Sequence, residues 1–246
     1  MSAPPAGYQL VRGAGNALAV VRNSEADAVS SVLEAQTLHA WAAHQPARRA
    51  LHGRGVAWAV ALPGGTNVVV RHSRHGGALA GLTGDRFLAP TRAPHELSVS
   101  LWLQSSGVHT PTMIAYATYP AGPLLRRSDV VTAEVPGARD LGSVCMEGGA
   151  ELDAALDSTG ILLDSLARAG AHHPDLNVKN VLLADGGAAF TAWVLDVDRV
   201  RRVNRRRAAR GNLRRLVHSM ERWRQRKGAP ITNEHLARLS ALVEET

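Results

Sequence analysis

Apolar residues recur along this chain with two spacings, and the switches between them mark the elements. From Ser24 to His44 they return every three or four positions. Val29, Val32, Leu33 and Ala40 share a face with Gln36, which predicts a helix that Ser24 caps and Asp27 supports in an S-x-x-D start. The period then shortens. Val56–Leu62 and Asn67–Arg71 are predicted strands joined by the turn Pro63-Gly64-Gly65. Helical spacing of Leu97, Leu101 and Trp102 predicts a helix over Arg92–Gln104, stopped by Gly107. Thr112–Thr118 and Val130–Val135 are two further predicted strands. Leu152, Leu156, Leu163 and Leu166 line one side of a long helix over Gly148–Gly170. Short strands over Asn180–Leu183 and Trp193–Asp196 flank the turn Asp185-Gly186-Gly187, and helices over Arg205–Arg226 and Asn233–Glu244 end the chain. Ahead of all these, the residues through Gly15 are rich in Pro, Gly and Ala and are expected to form a loose arm.

The order is strands with one helix, then a chiefly helical half, changing over at Glu134-Val135-Pro136-Gly137. That is an α+β pattern of two unequal lobes: an antiparallel-sheet lobe over residues 50–135, a mainly helical lobe over 136–246, and an N-terminal arm and helix over 1–49. Ligands favour the cleft that such a layout creates. With 246 residues the chain can bury a real core, and with only 4% aromatic residues that core must be built from Leu, Val and Ala. The single cysteine, Cys145, allows no internal disulfide, and its plain reading is a small core residue. No apolar run reaches the roughly 18 residues of a membrane span. The start lacks the pattern of a signal peptide, so a cytoplasmic location is expected.

Charge is unevenly spread. Arg199 to Lys227 hold 13 of the 28 basic residues and one acid, Glu221, so this segment is +12 within a chain of net charge +7. The positive field belongs to one segment, in whose helix Leu213, Leu216, Val217, Met220 and Trp223 form an inward stripe and the arginines occupy the rest. A solvated surface is the plain reading. The functional reading is a cationic face held on anionic lipid or on acceptor phosphates. Trp223 lies on the apolar stripe, which leaves no exposed aromatic for bases to stack on, and a nucleic-acid partner is not expected.

The densest chemistry lies in His173-Pro174-Asp175-Leu176-Asn177-Val178-Lys179-Asn180, followed by the apolar run Val181-Leu182-Leu183 and then Val194-Leu195-Asp196-Val197-Asp198. In protein kinases an H-x-D loop supplies a catalytic Asp, an Asn five positions on binds Mg²⁺, and a further Asp after a short strand binds the metal bridging the ATP phosphates. Asp175, Asn180 and Asp196 fall at those spacings, with Asn177 beside the catalytic Asp. Mg²⁺ takes hard oxygen ligands, few of them from protein. An acceptor hydroxyl needs a carboxylate to orient it and take its proton. Singly, each residue reads as an Asx turn, a hairpin residue or a surface ion; four positions in register between apolar strands do not.

The first half then has to supply a phosphate cover and a cation. Gly53-Arg54-Gly55 opens a strand–turn–strand, and glycine lets backbone amides approach phosphates closely. Arg71 stands where the V-A-I-K pattern has its lysine, and Glu96, on the next helix, is its natural ion-pair partner. The plain readings are a strand-end arginine and a solvated helix charge.

These blocks resemble the lipopolysaccharide kinases, most closely the 3-deoxy-D-manno-octulosonic acid (Kdo) kinases. The likeness runs through Gly53-Arg54-Gly55-Val56-Ala57-Trp58, Val70-Arg71-His72 with Arg74-His75-Gly76-Gly77, and Asp85-Arg86-Phe87-Leu88. It continues through Glu134-Val135-Pro136-Gly137-Ala138-Arg139, the His173–Asn180 loop, Asp196-Val197-Asp198-Arg199 and Asn212-Leu213-Arg214-Arg215-Leu216. The resemblance implies a small two-lobed protein-kinase-like fold and transfer of phosphate from ATP, with Mg²⁺, to a Kdo hydroxyl of a lipid A precursor at the inner membrane. It makes Asp175 the base, Asn180 and Asp196 the metal ligands, Arg71 the phosphate cation, and Glu134 with Val135 the backbone hinge that meets adenine. Val197 replaces the aromatic residue usual in the family's D-F-D-R motif, and Ala59 and Ser73 also stand where an aromatic is expected. No A-P-E segment follows Asp196, so switching by a phosphorylated loop is not expected. The rivals are a kinase of another small molecule, such as an aminoglycoside or a lipid headgroup, and a pseudokinase that binds nucleotide without turnover.

Overall fold

A computed structural model describes residues 3–52, 55–73, 84–187 and 189–244 of the chain. It divides into two compact units, residues 1–97 with 112–134 and residues 98–111 with 135–246.

The first unit is built on an antiparallel sheet. Its elements are β1 (Tyr8–Arg12), β2 (Leu18–Arg22), α1 (Ala26–Leu33), α2 (Leu38–His44), β3 (Arg49–His52), β4 (Val56–Ala61), β5 (Asn67–His72) and β6 (Phe87–Leu88). They are followed by α3 (Ala93–Ser105), β7 (Met113–Pro120) and β8 (Leu125–Ala133). The strand order is β1-β2-β7-β8-β5-β4-β3, with β6 paired to β8. Val68 and Val70 of β5, Ala115 and Ala117 of β7 and Val131 of β8 are buried against Val29, Leu33, Leu38 and Trp41 of the two helices. Inward residues two apart on each strand and three or four apart on the helices build this core.

Two expectations are corrected here. The opening residues are not a loose arm: Tyr8 to Arg12 pair with β2, and the Tyr8 hydroxyl donates to Met113 O at 2.6 Å. β2 is buried at Ala19 and Val21 and pairs with β7, so it offers a ready edge on which β1 adds. Nor is Ser24–His44 one helix. Leu33 and Leu38 are both fully buried. Five residues apart, they would lie roughly 140° from each other on a continuous helix. The chain breaks after α1 and restarts at Thr37, which is extended and accepts the Ala40 N–H at 3.2 Å. Ser24 sits in a preceding 3₁₀ turn and caps nothing.

A buried carboxylate holds the restarted helix. Asp129 of β8 is wholly inaccessible and accepts from the His39 N–H (2.9 Å), the Tyr119 hydroxyl (2.9 Å) and His72 Nδ1 (2.6 Å). Tyr119 in turn accepts the Leu38 N–H at 3.0 Å. The orphan donors of the α2 N-terminus are thus satisfied from the sheet. His72 Nε2 faces Asp85 at 3.1 Å, and Arg127 pairs with the same Asp85 oxygen at 2.8 Å. With carboxylates at both ring nitrogens, only the imidazolium satisfies both. The Asp129 hydrogen bond, opposed by burial and helped by both carboxylate charges, raises the His72 pKa above the usual histidine value. A raised pKa means that the folded state binds the extra proton. Its stabilisation is complete below about pH 6.5, the unfolded value, and is lost as pH rises through the folded one. His72→Gln should therefore flatten the fall of Tm on the alkaline side of pH 6.5, read by thermal melts across that range. An unchanged slope would mean that His72 is neutral.

The second unit contains most of α3 and then β9 (Arg139–Asp140), α4 (Leu141–Glu147), α5 (Gly149–Arg168), β10 (Ala171–His172), β11 (Val181–Asp185), β12 (Phe190–Val194), β13 (Arg201–Arg202), α6 (Arg205–Lys227) and α7 (Asn233–Glu244). The four leucines read from the pattern of α5 are all fully buried, joined by Leu216 and Met220 of α6. Each contributes roughly 1.5–3 kcal/mol through the apolar area it removes from water. Cys145 lies in the same core, and burial pushes its thiol up to about 12, so it packs and does not react. Trp223 packs inward over Gly142, where an added Cβ would lie 2.5 Å from the indole ring. An antiparallel-sheet unit followed by a mainly helical one is the α+β architecture that the pattern predicts.

Candidate active site

In the second unit the site begins where α5 ends. Gly170 turns at φ +65°, a left-handed value that favours glycine, and an added Cβ would lie 2.5 Å from Val203 O. β10 and the loop after it are fastened to α6 by Asn212, which is fully buried. Its Oδ1 accepts the His173 N–H and its Nδ2 donates to Ala171 O, both at 2.8 Å.

His173 is also fully buried. Its Nδ1 accepts the Asp175 N–H at 3.3 Å, so the ring proton lies on Nε2, which donates to Leu195 O at 3.0 Å. Burial holds the ring below the usual histidine range, against the weaker pull of Leu195 O and of Asp196, Asp175 and Asp198. It is a neutral strut. Asp175 O accepts from Asn177 Nδ2 at 2.8 Å and from Asn180 Nδ2 at 3.1 Å. Asn177 Oδ1 accepts the Lys179 N–H at 2.9 Å and caps the 3₁₀ turn Val178–Asn180. Asn180 O then accepts the Leu195 N–H at 2.9 Å.

Both backbone groups of Leu195 are therefore committed to the His173–Asn180 loop. This brings the following residue, Asp196, beside the loop, and Asp196 turns left-handed at φ +54°. A non-glycine residue held there carries strain that the surrounding bonds must offset. Asp175, Asn177, Asn180 and Asp196 are thus brought together, as their spacing predicts. The Asp175 carboxylate pairs with Arg199 at 2.5 Å, and Lys179 with Asp140 at 2.7 Å. Asp196 is exposed, and among the described residues its carboxylate makes no hydrogen bond or ion pair.

In the first unit, Arg71 on β5 pairs with Glu96 in the first turn of α3. The glutamate is buried and the arginine partly so. Gly55 is exposed just before β4, while Gly53, Arg54 and the Arg74-His75-Gly76-Gly77 block lie outside the described residues. The Glu134 N–H donates to Asn67 O at 3.0 Å, and the Glu134 carboxylate pairs with Arg49. In the second unit, Val135 O accepts the Ala138 N–H at 3.3 Å, and among the described residues no backbone group takes the Val135 N–H.

Sequence reasoning missed Arg199, Asn212 and Leu195 as parts of this site. Arg199 and Asn212 stood inside the family-like blocks, which was the available signal. Leu195 works through its backbone, and no residue type announces that.

The fold matches a solved structure described as WaaP in complex with acyl carrier protein, with TM-score 0.57 and 16% identity, covering 97% of this chain and 89% of that one. Among curated proteins, the 3-deoxy-D-manno-octulosonic acid kinase of Vibrio parahaemolyticus is 30% identical over 192 residues, which is 73% of this chain and 78% of that protein. The enzyme of the same name from Vibrio cholerae is 30% identical over 197 residues, 78% and 81% of the two chains. That from Stenotrophomonas maltophilia is 31% identical over 192 residues, 76% and 74%. The model of the lipopolysaccharide kinase (Kdo/WaaP) family matches residues 38–241, most of the chain, and the protein belongs to that family.

Proposed function

We propose that this protein transfers the γ-phosphoryl group of ATP to a hydroxyl of Kdo on a lipid A precursor. The observation that carries the reading is the double backbone commitment of Leu195, which sets Asp196 beside the loop bearing Asp175 and Asn180. Asp175 is the group that orients the acceptor hydroxyl and takes its proton. Asn177 and Asn180 hold the Asp175 carbonyl, so the carboxylate projects from a fixed backbone. Arg199 keeps that carboxylate in place until an acceptor hydroxyl arrives. Arg71, fixed by Glu96, answers the negative charge of the transferred phosphates. Gly53 to Gly55 let the backbone approach them, and Glu134 and Val135 supply the hinge for adenine.

The donor set fits Mg²⁺. Asn180 Nδ2 is occupied by Asp175 O, which leaves its oxygen as the cation-facing group, and Asp196 adds one carboxylate. Among the described residues no cluster of three or more His, Cys, Asp or Glu could hold a metal alone. One amide and one carboxylate suit an ion that completes its shell with phosphate oxygens and water. When bound, the ion would neutralise phosphate charge.

Among the described residues no helix is long and apolar enough to cross a membrane. The exposed arginines of α6 are the surface through which this reading places the enzyme on anionic lipid. The test is transfer of labelled γ-phosphate from ATP to a purified Kdo-bearing lipid A precursor. Asp196→Ala and Asn180→Ala should each weaken Mg²⁺-dependent ATP binding at least about tenfold, as the loss of a charge-assisted contact implies, and EDTA should reproduce the loss. Transfer to an aminoglycoside but not to the lipid acceptor, or ATP affinity indifferent to metal and to both substitutions in calorimetry, would overturn the assignment.

A further inference from the structure

The bonds of Asn212 have a second consequence. By holding the backbone on both sides of His172, they lay that side chain against α6 at Gly211, where an added Cβ would lie 2.6 Å from imidazole Cδ2. Only glycine leaves room for the ring. Arg207 lies one turn before Gly211 and Arg214 one turn after, on the same helix face. Arg201 of β13 is directly opposite His172 of β10, so the two side chains share a face of that ribbon. Three guanidiniums from two elements thus surround one half-buried imidazole, three residues from Asp175. All three arginines are exposed, and among the described residues none has a carboxylate within ion-pair distance.

Several other arginines of this unit are matched with acids. Arg139 meets Glu147 and Glu151, Arg168 meets Asp164, and Arg238 meets Asp157. The unmatched cluster faces its own repulsion: burial, with Arg207, Arg214 and Arg201 nearby, holds His172 below the usual histidine range. Like charges left together beside a catalytic loop are relieved by an anion, and guanidiniums suit the oxygens of phosphate or carboxylate.

We infer that His172, Arg201, Arg207 and Arg214 form a binding site for a second anionic group, a phosphate monoester, carried by the acceptor. The site orients an acceptor whose hydroxyl reaches Asp175, and in this it rests on the kinase reading above. It acts by positioning, so its loss should appear in the acceptor KM before kcat.

Two measurements separate the site from the reaction. The first follows the His172 ring resonances by NMR, assigned with His172→Gln, during titration with inorganic phosphate at constant ionic strength. They should move saturably, and Arg207→Gln/Arg214→Gln should abolish the movement. Arg12→Gln/Arg22→Gln, with the same loss of charge in the other unit, should leave it intact. The second compares a Kdo-bearing lipid A precursor with the same molecule after phosphatase treatment. Arg207→Gln/Arg214→Gln should raise the KM of the phosphorylated acceptor about tenfold, the scale of one lost charge-assisted contact. The treated acceptor should show that higher KM with the wild type.

A saturable phosphate response without transfer to either acceptor would leave the anion site standing and remove the kinase reading. Normal transfer with equal KM for both acceptors, and no movement at His172, would remove the site and leave the kinase. A response to phosphatidylglycerol vesicles or RNA, but none to phosphate or to the phosphorylated acceptor, would also overturn it and mark general surface charge.

Discussion

Asp175→Asn should lower phosphoryl transfer by roughly 10²–10⁴-fold, the range for a lost general base, while ATP affinity stays within a few-fold. The backbone of residue 175 explains why the loss should be chemical. Its N–H is bound to His173 and its carbonyl to Asn177 and Asn180, all through atoms that the substitution leaves in place. Asparagine keeps the shape but cannot accept the hydroxyl proton, and it reduces the Arg199 ion pair to a contact between a cation and a neutral amide. The measurement is kcat with saturating ATP and acceptor, alongside calorimetric ATP binding and a thermal melt. More than about a tenth of wild-type turnover would lie outside that range and remove Asp175 as the base. A large fall in Tm would assign the effect to the fold.

Arg71→Ala should lower kcat/KM by about 10²-fold, equivalent to ~2.7 kcal/mol of transition-state stabilisation. The guanidinium is paired with a buried carboxylate, so its position is set by Glu96. Glu96→Ala alone should also cost activity, because an arginine without this carboxylate no longer presents the same face to phosphate. The double variant should be little worse than Arg71→Ala, since residues that act as one unit do not contribute additively. Arg71→Lys should be impaired as well: an ammonium cannot contact two phosphate oxygens and a carboxylate with the geometry of the guanidinium fork. A full double-mutant cycle decides the matter. Additive losses would make Glu96 a structural charge, and lysine outperforming arginine would favour a drifted, non-catalytic site.

The local parts of this protein were legible from its residues. The strands β4, β5 and β7 and the helices α3, α5 and α6 follow from apolar periodicity, because each buries one face and alternation reports which. The set Asp175, Asn177 and Asn180 was legible for the same reason: its bonds span two to five residues and close within one loop. Even the Arg71–Glu96 pair, 25 residues apart, followed from a strand-then-helix pattern with one cation and one acid in the right places.

Tertiary structure alone decided the features whose partners lie far along the chain. The break between α1 and α2 follows from donors that reach Asp129, 90 residues on from His39, and from two leucines that a straight helix could not bury together. The strand at the N-terminus exists because β2 pairs with a buried β7, and a composition rich in Gly and Pro carries no trace of that edge. The grip of Asn212 on the His173–Asn180 loop spans 39 residues from His173, and the approach of His172 to Gly211 depends on it. A run of arginines states the charge of α6. Which two of them join Arg201 of β13 round the His172 imidazole is set by the helix face that Asn212 and the apolar stripe turn inward, and by the pairing of β13 with β10.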